Sequence, residues 1–227
     1  WSVQNYTRWH VATIPLPTGL TQLRLRVVIQ ADPYVSREGI GIDDIHIYDL
    51  QYPIYSGAPY TSNVVNQAAV TGNSWINFVD GTKLVAAVNP NGQNLGSTDA
   101  QVYINTGGIR NRVGQYYHDR NITIKPANAS LTDSATVRFY FLDTETEALI
   151  NAAGCGLCTK PTMANRLGVS KFSSANDAIE NGTLTDNAGG TWLFIQAADA
   201  VKVPYYRGYY AEFKIKDFSE FWLSNGG

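Results

Sequence analysis

Hydrophobic and polar residues alternate along most of this chain, and this period of two constrains the fold more than any other feature of the sequence. Residues 21–30, TQLRLRVVIQ, place Leu23, Leu25, Val27 and Ile29 on one side and Arg24, Arg26 and Gln30 on the other. Similar segments recur up to the C-terminus, among them QVYIN, NITIKP, TVRFYF, GTWLFIQ and YYAEFKIKDF, with turn-forming clusters between them. Because such alternation is typical of strands with one buried face, the pattern predicts an all-β protein of the β-sandwich or jelly-roll type.

The segment DTETEALINAAG predicts one short accessory helix over about residues 144–153. Asp143 or Thr144 is the expected N-cap, with Glu147 as the capping-box partner of Thr144. Gly154 is expected to end the helix.

Composition excludes several classes of partner. The 227 residues are 44% hydrophobic and 16% charged, as in globular proteins, and the formal net charge is -2. A chain with this net charge lacks the excess of positive charge that is typical of nucleic-acid-binding proteins. No apolar run approaches the roughly 20 residues that cross a bilayer, so no membrane insertion is expected.

The chain shows one candidate domain boundary, near DLQYPIYSGAPY, where two prolines and a Ser-Gly pair interrupt the alternation. The sequence therefore predicts one unit over residues 1–50 and a second over residues 51–227. The chain has neither an initiating Met nor a signal peptide and starts at Trp1 in mid-pattern, as expected of a trimmed piece of a longer protein.

The two cysteines, Cys155 and Cys158, occur together in GCGLC. Such spacing fits a redox pair, half of a zinc site or a small-loop disulfide. Pro161 follows too closely for a thioredoxin-type helix, and the three histidines lie far away without ligand spacing. A loop disulfide is the favoured interpretation, a free structural pair is the alternative, and a disulfide favours an extracellular location.

Two adjacent carboxylates, Asp43 and Asp44, interrupt a run of isoleucines in GIGIDDIHI. Ile40 and Ile42 have one parity and Ile45 and Ile47 the other, so a regular strand cannot keep both pairs on one face. The pattern predicts buried faces on both sides or a β-bulge at the two aspartates. A bulge turns oxygens toward one point, which suits an oxygen-liganded cation, so Glu38, Asp43 and Asp44 are the candidate ligands of a structural Ca²⁺. The alternative is a structural role without metal; catalysis is disfavoured because neighbours on a strand point apart.

The segment WHVATIPLP (residues 9–17), the Leu/Arg strand after it and EGIGIDDIHIYD together resemble the C-terminal part of a MAM-type, concanavalin-like jelly roll. The resemblance covers about residues 6–49, only the last half of such a domain. It implies an extracellular, non-catalytic adhesion or accessory module. The missing half is expected from preceding sequence or from another chain.

The C-terminal segments VRFYFLDTETEALINAAG, LGVSKFSS and YYAEFKIKDFSEFWLSNGG resemble the module before the sorting domain of cell-surface proteins exported by the type IX secretion system. Residues 218–223, FSEFWL, match that family position by position, and a looser match covers most of residues 55–227. The resemblance implies export to the cell surface and removal of a sorting signal. From the residues alone, the aromatic side chains of this stretch are core residues of a terminal strand.

The tripeptide DSA at residues 133–135 matches the short Asp-Ser/Thr-apolar motif that is O-glycosylated in that secretion context. It makes Ser134 a candidate glycosylation site. Because three-residue motifs are common, an unmodified turn is the alternative.

A tyrosine-rich segment, VPYYRGYYAEF, is a candidate binding surface, and it comprises Tyr205, Tyr206, Arg207, Tyr209 and Tyr210. Tyrosines of this kind serve as sugar-stacking platforms or protein interfaces. The alternative is a hairpin whose tyrosines are half core and half surface.

Catalytic motifs are not found. His118 lies beside Asp119, but side chains at i and i+1 on a strand point to opposite faces. The sequence has no G-x-S-x-G, no H-E-x-x-H and no phosphate loop. We therefore expect no enzymatic activity, and an adhesion or self-assembling role on the cell surface. The alternatives are a carbohydrate-binding module and the non-catalytic C-terminal part of a secreted hydrolase.

Overall fold

The alternating segments of the C-terminal three quarters of the chain form two antiparallel sheets. The structure, a computed structural model, describes residues 8–28, 41–58 and 64–227. The strands of this described part are β1 (Val65–Thr71), β2 (Ile76–Asp80), β3 (Lys83–Asn89), β4 (Asn94–Ile104), β5 (Arg110–Arg112), β6 (Gln115–Tyr117), β7 (Arg120–Pro126), β8 (Ala135–Leu142), β9 (Gly168–Ser173), β10 (Thr191–Ile195), β11 (Val201–Tyr205), β12 (Gly208–Ile215) and β13 (Glu220–Ser224).

One sheet has six strands in the order β1-β4-β7-β13-β9-β10, the other has five in the order β11-β12-β8-β3-β2, and β5 and β6 form a separate hairpin. The two larger sheets pack face to face. Inward side chains of both form one core, in which the Phe213 ring of β12 lies 5.5 Å from the Phe221 ring of β13. Because each such aromatic ring contributes about 1.5–3 kcal/mol on burial, this inter-sheet packing is the main source of stability. The prediction of an all-β sandwich is confirmed.

The predicted helix is present as α1 (Asp143–Ile150) and begins directly where β8 ends. Its N-cap is Leu142, so the predicted cap at Asp143 or Thr144 is wrong. The carboxylate of Glu145, rather than that of Glu147, accepts a hydrogen bond from the Leu142 N–H at 2.8 Å. No loop separates strand from helix, so the last strand residue occupies the cap position. Across residues 8–28, 41–58 and 64–227, the helices lack the length and apolar character of a membrane span.

The described residues before β1 take no part in the regular sheets beyond an isolated parallel bridge between Ile54 and Leu84. The strand predicted over residues 21–30 is absent from residues 21–28, where Leu25 is 61% exposed. The alternation supplies one apolar face there, but a strand also needs a neighbour for its backbone hydrogen bonds, and no described residue provides one. Residues 29 and 30 lie outside the described part, and the boundary near residue 50 stays a prediction.

Candidate binding surface

The period of two divides the tyrosine-rich hairpin between the two faces of the five-stranded sheet. Tyr209 of β12 faces inward, is 8% exposed and stacks on Phe141 at 5.7 Å between ring centroids. Tyr205 and Tyr210 face outward, and Arg207 is exposed in the turn between β11 and β12. The predicted binding set therefore separates into a core residue and a surface group, because neighbouring positions on a strand have opposite directions.

On the outside, Tyr205 and Tyr210 meet Tyr140 of β8, and we call these three residues the tyrosine face. The Tyr140 ring lies 5.2 Å from that of Tyr205 and 5.5 Å from that of Tyr210. Burial raises the pKa of Tyr140, and it raises the pKa of Tyr205 to about 12. Both hydroxyl groups are therefore neutral at physiological pH, and that of Tyr205 acts as a hydrogen-bond donor.

The guanidinium group of Arg138 is a planar cation that is held beside the tyrosine face. Its guanidinium carbon lies 3.7 Å from the ring centroid of Trp75 and 4.5 Å from that of Tyr210. Its Nε donates to the carboxylate of Glu212 at 2.8 Å. Such stacking suits arginine because its guanidinium is flat and weakly hydrated.

The tyrosine face contacts an extended segment of the same chain, around residues 48–55. The Tyr48 ring stacks on the Tyr205 ring at 5.6 Å, and its hydroxyl accepts a hydrogen bond from the Tyr206 N–H at 2.5 Å. The Tyr205 hydroxyl donates to the backbone carbonyl of Tyr52 at 2.6 Å. The surface predicted from the sequence thus contacts polypeptide through side chains and backbone together.

A groove of about 510 Å³ lies between residues 45–48 and the five-stranded sheet. Its walls are Ile45, His46, Ile47 and Tyr48 on one side and Arg138, Tyr140, Val203, Pro204, Tyr205 and Tyr210 on the other. Its lining mixes aliphatic and tyrosine side chains with His46 and Arg138, and a mixture of apolar and polar groups is found at sites for a side chain or a sugar ring.

The two aspartates of the predicted metal site are joined by a local hydrogen bond between side chain and backbone. The Asp43 carboxylate accepts a hydrogen bond from the Asp44 N–H at 2.8 Å, and Asp44 has a φ of 50°. No strand is present there among the described residues, so no bulge in a sheet forms. Glu38 lies outside the described residues. Ca²⁺ takes about six to eight oxygen ligands, and the described part of the chain has no cluster of three His, Cys, Asp or Glu, so these residues do not fit a calcium site by themselves.

The predicted disulfide between Cys155 and Cys158 is present. It closes a loop that lies against the β5–β6 turn, because the Thr159 N–H donates to the Gly114 carbonyl at 2.8 Å. Leu157 in the disulfide loop is 94% exposed, and Val113 in the turn is 87% exposed. Two protruding aliphatic side chains therefore occupy neighbouring loops.

Ser134 lies in the turn before β8. Its backbone N–H donates to the Asp133 carboxylate at 2.6 Å, and its carbonyl accepts from the Asn91 side chain at 2.9 Å. The side chain is partly exposed. Glycosylation of Ser134 stays a prediction.

Near the start of β7, His118 and Arg120 are buried polar residues that sequence reasoning did not place in the core. Burial lowers the pKa of His118 to about 4, so the ring is neutral at physiological pH. Asp119 instead contacts the side chain of Asn105 at 3.0 Å. Arg120 forms an ion pair with Glu145 of α1 at 2.8 Å, which ties the helix to the six-stranded sheet.

The FSEFWL motif contains a second buried polar centre, at Glu220 of β13. Its carboxylate accepts hydrogen bonds from the side chain of Asn121 at 2.9 Å, the Gly182 N–H at 2.6 Å and the side chain of Asn187 at 2.8 Å. Two of these donors belong to the loop before β10. Glu220 therefore fastens that loop to the outside of the six-stranded sheet.

The aromatic residues of the same motif have separate roles. Phe221 faces the main core, whereas Trp222 packs on the other side of β13 with Tyr117 and Leu184. The Arg110 guanidinium carbon lies 4.5 Å from the Trp222 ring centroid. The prediction that the aromatic residues of this motif are core residues of a terminal strand is confirmed for Phe221 and Trp222, whereas Phe218 lies before β13 and is half-buried.

The chain was compared with models of protein families, with curated proteins and with solved structures, and none of these comparisons gives a match.

Proposed function

We propose that this chain is a non-catalytic, secreted protein of the cell surface that works through protein–protein contact, as an adhesion or self-assembling subunit. The observation that carries the proposal is the contact between the tyrosine face and an extended segment of polypeptide. Tyrosine presents a large, rigid contact area and a hydroxyl that bonds to backbone groups, which makes it frequent in protein interfaces.

Exposed aliphatic residues near the N-terminus support a protein-contact role. Ile14, Val28 and Ile47 are each 67–68% exposed, on residues that form no regular strand in the described part of the chain. Groups of exposed large apolar side chains mark interaction surfaces in soluble proteins. Each of these three side chains therefore offers a second protein apolar area to bury.

The extracellular location is supported by the disulfide and by the two sequence resemblances. A disulfide between Cys155 and Cys158 persists most readily in oxidising surroundings. The MAM-like segment and the type IX-associated module both suggest proteins that act outside the cell, and neither suggests an active site.

Carbohydrate binding is the second candidate, and the groove beside the tyrosine face favours it. Tyr205 and Tyr210 offer ring surfaces for a sugar, and Arg138 offers a cation in the lining of the groove. The groove is already narrowed by residues 45–48 of the same chain, so a polysaccharide has to compete with polypeptide.

The native mass of the full chain tests the assembly role. We expect light scattering to give a mass above that of the monomer, rising with concentration between about 1 and about 100 µM. A strictly monomeric chain that retains a polysaccharide on an affinity gel would contradict assembly and support the second candidate.

The same measurement with EDTA tests calcium. Since the described residues do not form a calcium site by themselves, we expect the mass to be unchanged. Dissociation on chelation, reversed by added Ca²⁺, would show that residues outside the described part complete a site near Asp43 and Asp44.

A further inference from the structure

Three of the four edges of the two large sheets carry features that discourage pairing with another strand. The ladder of β1 with β4 is irregular at two places, and that of β2 with β3 is irregular between Phe78 and Val79. The third edge, β11, contains Pro204, which has no N–H to donate. Bulges and prolines at edges are common protections against association.

The fourth edge, β10, has none of these protections. Its five residues, TWLFI, pair with β9 in an unbroken register from Thr191 opposite Ser173 to Ile195 opposite Val169. Among the described residues, only β9 pairs with β10. Leu193 is 46% exposed and Phe194 is 40% exposed. A regular, uncharged and apolar edge of this kind is a template for an additional strand.

We propose that β10 pairs antiparallel with the β10 strand of a second copy of this chain, across a two-fold axis. Centred on Leu193, this pairing places Trp192 opposite Phe194 of the other copy and Thr191 opposite Ile195. Trp192 and Phe194 lie on the same face of β10, where their rings stack at 6.3 Å with an interplanar angle of 7°. The aromatic residues of both copies therefore form cross-strand pairs on one face of a continuous sheet.

The absence of charge around β10 makes a second copy a suitable occupant. Residues 187–198, NAGGTWLFIQAA, contain no charged side chain. Two copies can therefore approach along this stretch without setting like charges opposite one another, which destabilises strand pairs. A two-fold contact uses the same patch on each copy and closes as a dimer. This inference rests on the proposed assembly role and names a contact for it that is separate from the tyrosine face.

Leu193→Lys tests the contact, with Leu157→Lys as the matched control. Leu157 undergoes the same substitution on an exposed loop outside β10. We expect light scattering to give a dimer for the wild-type full chain and for L157K. For L193K we expect a monomer, with the dissociation constant raised at least about tenfold. Near-ultraviolet circular dichroism checks that both variants keep the native fold.

Hydrogen exchange provides a second readout on the unmodified chain. We expect the amides of β10 to exchange more slowly at about 100 µM than at about 1 µM, whereas the amides of β1 exchange at the same rate at both concentrations. If the wild type assembles but L193K assembles equally well and β10 shows no such protection, the β10 contact is wrong and the assembly role stands. A wild type that is monomeric at every concentration overturns both.

Discussion

Replacing Arg120 by methionine should lower the free energy of unfolding by about 3–5 kcal/mol, because it leaves the Glu145 carboxylate buried without its counter-charge. The Arg120 side chain is fully buried, and its Nε and one Nη reach the two carboxylate oxygens at 3.0 and 2.8 Å. The same Nη donates to the Tyr55 carbonyl at 2.6 Å. The substitution thus breaks the link between helix, sheet and the segment before β1 at once. Chemical denaturation measures the loss.

The pH dependence of this loss has a definite sign. Burial alone would raise the pKa of Glu145, but the charge of Arg120 and the hydrogen bonds from Arg120 and the Leu142 N–H bring it below its ordinary value of 4.5. In the wild type the pair therefore stabilises above pH 4.5, and this contribution is lost as the pH falls through the lower folded pKa. In Arg120→Met, burial raises the pKa of Glu145 without opposition from Arg120, so this carboxyl group is protonated at a higher pH. The loss of stability relative to the wild type should therefore be smaller at about pH 4 than at about pH 7.

Two further variants separate the buried charge from other effects. Lys125→Met removes a positive charge that lies 3.8 Å from the exposed Asp177 carboxylate and 3.8 Å from the buried Glu180 carboxylate. It should cost only about 1 kcal/mol, because Lys125 is itself partly exposed and Glu180 keeps its hydrogen bonds from the Ser174 N–H and the Ser219 hydroxyl. The double variant Arg120→Met/Glu145→Gln should be more stable than Arg120→Met alone, because a neutral amide replaces the unpaired carboxylate while its oxygen still accepts from Leu142. A loss below about 1 kcal/mol for Arg120→Met would show that the pair does not hold α1 on the sheet.

Glu220→Gln should change the pH dependence of stability more than any other conservative substitution in the FSEFWL motif. Burial raises the pKa of Glu220 to about 7 from an ordinary value of 4.5, although the hydrogen bonds from Asn187 and Gly182 oppose the shift. A raised carboxyl pKa means that the folded state binds the proton more tightly. The stabilisation is therefore complete below pH 4.5 and is lost as the pH rises through 7.

Relative to Glu220→Gln, the wild type should lose about 3 kcal/mol of stability as the pH rises from about 4.5 to about 8. Glu220→Leu should have the same flat profile as the glutamine variant but a lower stability throughout. The reason is that the donors of Asn121, Gly182 and Asn187 lose the carboxylate as their acceptor, at a cost of roughly 1–3 kcal/mol each. Denaturation curves across this pH range measure both effects. A wild type that gains stability relative to Glu220→Gln over this range would show that the carboxylate stays ionised.

The period of two accounts for how much of the fold could be predicted. It identified the strands of the sandwich because a buried face has to repeat at every second residue, and it identified the tyrosine hairpin that forms much of the candidate surface. It failed over residues 21–28, where the same alternation forms no strand, because strand formation also depends on a partner that a local pattern does not show.

The polar centres could not be predicted for a related reason. Arg120 and Glu145 are 25 positions apart, and Glu220 meets Asn187 from a distant loop, so only the tertiary structure brings these groups together. The sequence signal was a charged residue at the edge of an apolar strand, which is also typical of a solvated strand end. The inward direction of the Tyr209 side chain could have been predicted. It follows from the alternation along β12 once β8 is known to be its partner strand.

Adhesion between coated beads tests the central claim, that the chain works through protein–protein contact, most directly. We expect beads that carry the full chain to aggregate in buffer, and soluble chain in excess to prevent this by occupying the same contact. Soluble polysaccharide should leave the aggregation unchanged. Beads that stay dispersed at every coating density yet bind polysaccharide would contradict the account and would assign the tyrosine face to carbohydrate.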